Sequence, residues 1–356
     1  MTIAKLTASG DGYEIGLALG RAGARAYHEV VVNLARFRAL ARDWAGSERA
    51  AALHAAASQA YPEYLREIEG IADGMQADRD EVFLWNCRGD FPGGGDQAHE
   101  DTPGCTSVMI PADGARNAVI GHNEDDQAEL DGRCFLVEAR PRRGPGFVSF
   151  YSPGLLPGHT FGVNEAGLVQ TINHIRPRNQ VPGIPRHLIA RAVLGSVDLD
   201  SALAVLARSD RASGFHHNLG QAGSRALFGV EAPAGVCVVH PVTRPVAHAN
   251  HIVFGECADI DQEIAPSSAS RQRRAEQLIA AGALDGRDPL VMLGDDADAD
   301  LPICRKRRSG PDPGYTLASV VFELSREEVS WRVHAHPRER PEHQGDERLA
   351  REPVIE

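Results

Sequence analysis

The sequence has no apolar run long enough to span a bilayer, no CxxC or HExxH pair, and no internal repeat. It also has no excess of basic residues. With 37 Lys and Arg against 49 Asp and Glu, its formal charge is -12, which disfavours phosphate-rich nucleic acid and anionic membrane surfaces alike. Met1-Thr2-Ile3-Ala4-Lys5 lacks the apolar stretch of a signal peptide. Its six cysteines, Cys87, Cys105, Cys134, Cys237, Cys257 and Cys304, are scattered, a pattern of reduced thiols rather than of a disulfide framework or zinc site. These absences point to a cytoplasmic protein. Its 356 residues, 42% hydrophobic and 24% charged, are enough for a large buried core.

Residues 11–88 read as helical. Gly12, Gly16 and Gly20 recur every four residues, so one helix face lacks side chains and can admit a neighbouring backbone. A phosphate-cradling loop would need a preceding strand and another glycine spacing. The alanine-rich segment 48–60 and the run Tyr64-Leu65-Arg66-Glu67-Ile68-Glu69-Gly70-Ile71-Ala72 are further helices, and Asp78 is positioned to cap another. Composition breaks at Pro92-Gly93-Gly94-Gly95, and a glycine-rich loop runs to Gly104. Short alternating runs follow at 105–110, 118–123, 134–139, 147–152, 159–163 and 167–173, with Pro111-Ala112-Asp113-Gly114 as a hairpin turn. A helical stretch at 185–208 precedes strands at 225–231, 235–240 and 247–254, a helix at 268–281, an acidic loop at 295–300, and a hairpin of 315–323 with 328–334. Three segments result: a helical part over 1–104, a core over 105–336 and a charged tail over 337–356 expected to lack order. Without regular βαβ alternation the class is α+β, with antiparallel sheets and helices outside them.

Cys105 stands apart from the other cysteines. It follows Gly104 at a loop-to-strand junction and is flanked by Thr106 and Ser107; a returning strand then ends in Gly121-His122-Asn123-Glu124-Asp125-Asp126. Gly104-Cys105-Thr106-Ser107 followed by this cluster resembles the acyl-coenzyme A:6-aminopenicillanate acyltransferase family, a peptidase-C45-like branch of the N-terminal nucleophile (Ntn) hydrolases. The likeness extends to Gly12-Tyr13-Glu14-Ile15-Gly16, to Tyr64–Ala72, to Asn164-Glu165-Ala166-Gly167-Leu168 leading to Asn173, to His248-Ala249-Asn250-His251, and to Ile303-Cys304-Arg305.

The resemblance implies a four-layer αββα sandwich. It also implies a chain that cuts itself between Gly104 and Cys105 by an N-to-S acyl shift. The freed α-amine then serves as base for its own thiol; the two groups have ordinary pKa values of about 7.7–8.0 and about 8.5, close enough to share a proton. Asp125 would orient the amine, Asn250 would supply an oxyanion-hole amide, and Asn173, Glu124 and Arg305 would meet the substrate. Two departures stand out. Glu124 occupies a position where the family often has an aromatic residue, and a second family arginine falls on Pro313. The implied activity is hydrolysis of a small acyl amide through a thioester, without cofactor or metal, as a monomer or homo-oligomer.

Three other readings stand beside it. One is acyl transfer from an acyl-coenzyme A or amide donor to a small amine; Arg305-Lys306-Arg307-Arg308 could meet phosphates but reads better as a solvated loop. Another is a metallohydrolase using His122, Asp125, Asp126 and His216-His217, which no strong ligand spacing supports. The third is a non-catalytic binding module on the same fold.

Overall fold

The computed structural model describes residues 2–92, 104–257, 259–306 and 314–349. Two sheets carry the architecture, and among the described residues every adjacent strand pair but one is antiparallel. The eight-stranded sheet runs β1 (Ala4–Gly10), β4 (Phe135–Pro141), β5 (Phe147–Tyr151), β6 (Phe161–Asn164), β7 (Leu168–His174), β8 (Phe215–Gln221), β9 (Leu227–Glu231) and β10 (Val238–Pro241). The six-stranded sheet runs β11 (Val246–His248), β2 (Thr106–Ile110), β3 (Ala118–Gln127), β12 (Gly314–Leu324), β13 (Glu328–His334) and β14 (His343–Arg348). The exception is the parallel pair β1–β4.

Helices α6 (Arg186–Leu194) and α7 (Leu199–Leu206) cover the first sheet, where Gln170 on β7 donates to the Ala190 carbonyl. Helices α8 (Pro266–Ala280) and α9 (Leu290–Leu293) cover the second, packing Ala275, Met292 and Leu293 onto Val108, Ile110, Val119 and Val321. The layers are therefore α, β, β, α, the expected Ntn-hydrolase-like sandwich. No helix of the described residues is long and apolar enough to cross a membrane.

The N-terminal segment contributes α1 (Gly12–Glu29), α2 (Ala35–Trp44), α3 (Glu48–Ala60), α4 (Pro62–Met75) and α5 (Arg79–Asn86, capped by Asp78 as expected). Helices α1 and α4 cross with backbones in contact: a methyl at Gly16 would overlap the Glu67 carbonyl oxygen, and one at Gly70 the Tyr13 carbonyl oxygen. The glycine face read from the sequence is this crossing. Glu67, almost fully buried on α4, pairs at 3.1 Å with Arg191 of α6, whose guanidinium lies between the rings of Tyr64 and Phe147. Burial raises the Glu67 carboxyl above its usual range, and Arg191 opposes that shift.

The structure departs from the sequence reading in three places. Strand β1 precedes the helices, so the segment 1–104 is not wholly helical. Strand β8 lies in a stretch given no element. The tail, expected to lack order from residue 337, instead adds β14 to the sheet edge, pairing Val329 with Glu347 and Trp331 with Gly345. The loop 93–103 lies outside the described residues.

Gly16→Ala should destabilise the fold by about 1–3 kcal/mol, since the new methyl meets backbone that cannot rotate away. Gly255→Ala, with open space around it, should stay within about 0.5 kcal/mol. Urea midpoints check both, and equal values for the two would refute the close crossing.

Candidate active site

Strand alternation sorts the residues of the site. On β3, His122, Glu124 and Asp126 share the face towards the other sheet, while Asn123 and Asp125 point outward, Asn123 donating to the Leu293 carbonyl at 2.8 Å. Cys105 immediately precedes β2 and lies on its inner side, like Ser107 and Met109. Its Sγ donates to Glu124 Oε2 at 3.1 Å.

The peptide on either side of Cys105 is held by two buried guanidinium groups. Arg305 Nη2 donates to the Gly104 carbonyl at 2.9 Å and lies 3.3 Å from Asp125 Oδ2. Arg271 Nη1 donates to the Cys105 carbonyl at 2.6 Å and to Thr106 Oγ1 at 2.9 Å, while its Nη2 donates to Asn250 Oδ1 at 2.7 Å. That last bond fixes the orientation of the Asn250 amide. Its Nδ2 is buried and has no protein partner, a donor free to meet an oxyanion. Only glycine fits before Cys105, because a Cβ at Gly104 would overlap Asn250 Oδ1.

The hydrogen bonds behind the thiol settle one tautomer. Asn173 Nδ2 donates to the His248 carbonyl at 3.1 Å, and Asn173 Oδ1 accepts from Asn218 at 3.2 Å and from Ser107 Oγ at 2.7 Å. Ser107 has thus spent its one proton, so at 2.8 Å it accepts from His122 Nδ1–H. Burial lowers the His122 pKa to about 3, keeping the ring neutral, so its Nε2 carries a lone pair. That lone pair faces Glu124 Oε2 at 3.4 Å. Burial, opposed by the contact with Cys105, pushes Glu124 up to about 8. Near neutral pH it is mostly a carboxylic acid able to donate to His122. Burial, reinforced by Glu124, raises the Cys105 thiol well above its ordinary range. These three donor atoms also lie within 4.8 Å of one another, a closeness that the uncharged hydrogen-bonded chain accounts for.

A cavity of about 50 Å³ opens beside the thiol, lined by Cys105, Glu124 and Asp126 on one side and by His159, His187 and Phe215 on the other. Asp126 is held by Arg36 of α2 at 2.5 Å. His159 Nε2 and His187 Nδ1 are buried there without protein partners.

Most of the expected residues converge here, with some in different places. Cys105, Glu124 and Asp125 line the cavity; Asn250 and Arg305 reach the Gly104–Cys105 peptide from outside it. Asn173 does not reach the cavity. It is fully buried between the sheets, where it orders Ser107 and Asn218. The metal set of His122, Asp125, Asp126, His216 and His217 does not assemble: Asp125 points away from His122 across the strand, and His216 stacks on His248 with ring centroids 3.4 Å apart. Arg271 was not anticipated. It stands in the run Arg271-Gln272-Arg273-Arg274, and nothing in the sequence separates it from its exposed neighbour Arg273.

A model of the family described as acyl-coenzyme A:6-aminopenicillanic acid acyl-transferase matches residues 112–338. The chain belongs to that family. A β-alanyl-dopamine/carcinine hydrolase of Drosophila melanogaster is 32% identical over 164 residues, a match covering 41% of each chain. The 40 kDa form of the acyl-coenzyme A:6-aminopenicillanic-acid-acyltransferase of Emericella nidulans is 28% identical over 274 residues, covering 74% of this chain and 73% of that one. The family and the Emericella nidulans relative are thus named for acyl transfer and the Drosophila relative as a hydrolase, the hydrolase or acyltransferase class expected from the sequence.

Arg271→Leu would strip donors from the Cys105 carbonyl, Thr106 and Asn250, and should lower stability by about 3 kcal/mol. Arg273→Leu should change it by less than about 0.5 kcal/mol. Denaturant titration compares them; equal costs would contradict the clamp.

Proposed function

We propose that this protein is a self-processing N-terminal-cysteine amide hydrolase that cleaves its own chain between Gly104 and Cys105. The observation that carries the reading is the convergence on one peptide group: the Cys105 thiol follows it, Arg305 holds its carbonyl oxygen, and Asn250 packs against its glycine. A buried guanidinium on a carbonyl oxygen is placed to stabilise the negative charge that develops there when sulfur attacks carbon.

In this account the Cys105 thiol adds to the Gly104 carbonyl, the C–N bond breaks to give a thioester and a free α-amine, and water releases Gly104. The mature site then repeats the chemistry on a small acyl amide. The α-amine takes the thiol proton, the substrate carbonyl occupies the place left by Gly104, and Arg305 and Asn250 Nδ2 stabilise its oxyanion. Asp125, beside Arg305, orients the amine, and Glu124 faces the acyl group. Water resolves the thioester; a small amine in its place would give acyl transfer, the second reading, favoured by the names of the family and of the Emericella nidulans relative. The unpaired state of all six cysteines supports a reducing, cytoplasmic setting.

Purified full-length protein should separate on a denaturing gel into two chains, with intact masses matching residues 1–104 and a fragment beginning at Cys105. Cys105→Ala should remain one chain and lose all turnover across a panel of acyl amides. An intact wild-type chain would refute self-processing. Equal turnover by wild type and Cys105→Ala would refute the nucleophile.

A further inference from the structure

Self-cleavage raises a chemical problem that the mature mechanism does not solve. The α-amine that serves as base during turnover is still an amide nitrogen in the uncut chain, with no basic lone pair, so another group must take the thiol proton. We propose that Glu124 is the general base of the maturation step, with His122 Nε2 receiving the hydrogen bond of the carboxyl once it has been protonated. The proposal rests on the self-processing reading above.

The geometry sets the roles. Glu124 Oε2 is 3.1 Å from Cys105 Sγ, within reach for direct proton transfer, and 3.4 Å from His122 Nε2. His122 offers a lone pair there because Ser107 accepts its Nδ1 proton, and Ser107 does so because Asn173 takes the serine's own proton. Asn173, set apart from the cavity, thereby fixes the acceptor that anchors protonated Glu124. Asp125 is the nearest rival, but it points to the other face of β3 and is engaged by Arg305.

The step balances. The thiol proton passes to a Glu124 carboxylate oxygen, and sulfur bonds to the Gly104 carbonyl carbon, giving an oxyanion on the oxygen held by Arg305. The same proton then passes from Glu124 to the nitrogen of Cys105 as the C–N bond breaks. The net result is one proton moved from sulfur to nitrogen, a thioester, and a regenerated carboxylate. The new α-amine then takes over as base for later turnovers.

The pKa of Glu124, pushed up to about 8 mainly by burial, supports the role. Around it on the sheet stand Cys105, His122, Asp125 and Asp126. Arg36 and Arg88 face it from the helical segment, and His159, His174, Arg186 and His187 stand across the cavity. His159 and His187 are held neutral by burial well below neutral pH, Asp126 is paired with Arg36, and Asp125 with Arg305. Glu124 is thus the carboxyl of this set placed both to titrate near pH 8 and to touch the thiol. A base must be deprotonated to act, so maturation should accelerate as pH rises through about 8.

The test follows conversion of freshly translated full-length chain into the fragment beginning at Cys105, by gel and mass spectrometry, between pH 6 and 9.5. Glu124→Gln keeps the size and hydrogen bonding but cannot accept the proton; it should mature about a hundredfold more slowly at pH 8 and lose the step near pH 8. Glu124→Asp should mature at an intermediate rate and keep a pH step. His122→Gln should slow maturation less than Glu124→Gln does. Thermal midpoints alongside Cys105→Ala check that each variant folds, and if Glu124→Gln does not, Glu124→Asp decides. Wild-type rates and an unchanged pH profile in either folded Glu124 variant would overturn the assignment while leaving self-processing intact. A wild-type chain that never yields the Cys105 fragment would remove the self-processing reading and this one with it.

Discussion

The site depends on two buried guanidinium groups fixing one stretch of backbone. Arg305 grips the carbonyl before Cys105 and Arg271 the carbonyl after it, and Arg271 also fixes Asn250. Neither arginine belongs to the strand that carries the cysteine. Arg271 comes from α8 on the outer layer, and Arg305 from the segment leading towards β12. The αββα layering therefore does more than bury apolar surface, because it brings two outer-layer cations to the start of an inner strand. Charges so deeply buried are costly unless they are hydrogen-bonded, and here carbonyls, a carboxylate and an amide supply the partners.

The opposite side of the same cysteine is organised by neutral groups. His122, Ser107, Asn173 and Asn218 form a hydrogen-bonded chain between the sheets in which each proton has one assignable place. The low polarity that keeps His122 uncharged also raises Glu124 and the thiol. Cys105 thus sits at a boundary. Fixed positive charge faces its backbone, where the proposed oxyanion would form, and uncharged acid–base groups face its sulfur, from which the proposed reaction would take a proton. Strand alternation makes this division possible, since Glu124 and Asp125 are adjacent in sequence and point to opposite faces of β3.

Much of this was legible in the sequence where burial follows a simple period. The β2–β3 hairpin, the β12–β13 hairpin and the glycine face of α1 were readable because one face of each meets a core or a backbone. β8 was hidden because its inner positions, His216 and Asn218, enter the polar layer between the sheets, so the hydrophobic alternation fails. β1 and β14 are edge strands: Ala4–Gly10 offers Leu6 as its one large apolar side chain, and His343–Arg348 offers none. In the site, Cys105, Asp125, Asn250 and Arg305 could be matched to a family pattern, and the fold brings them together. Arg271 could not, because its role depends on where α8 docks. Asn173 was recognisable as a polar residue of interest, but its place between the sheets depends on the register of β7 against β8, which a local pattern does not carry.

The central claim is that the sulfur of Cys105 carries the acyl group. The most direct measurement mixes the matured enzyme with excess acyl amide, quenches it in acid, and weighs the fragment beginning at Cys105. The account predicts an added acyl mass that maps to Cys105, is released by hydroxylamine, and is absent from Asn250→Ala protein at the same early time. Continuing turnover of that amide with no adduct, or with the adduct on any other residue, would contradict it.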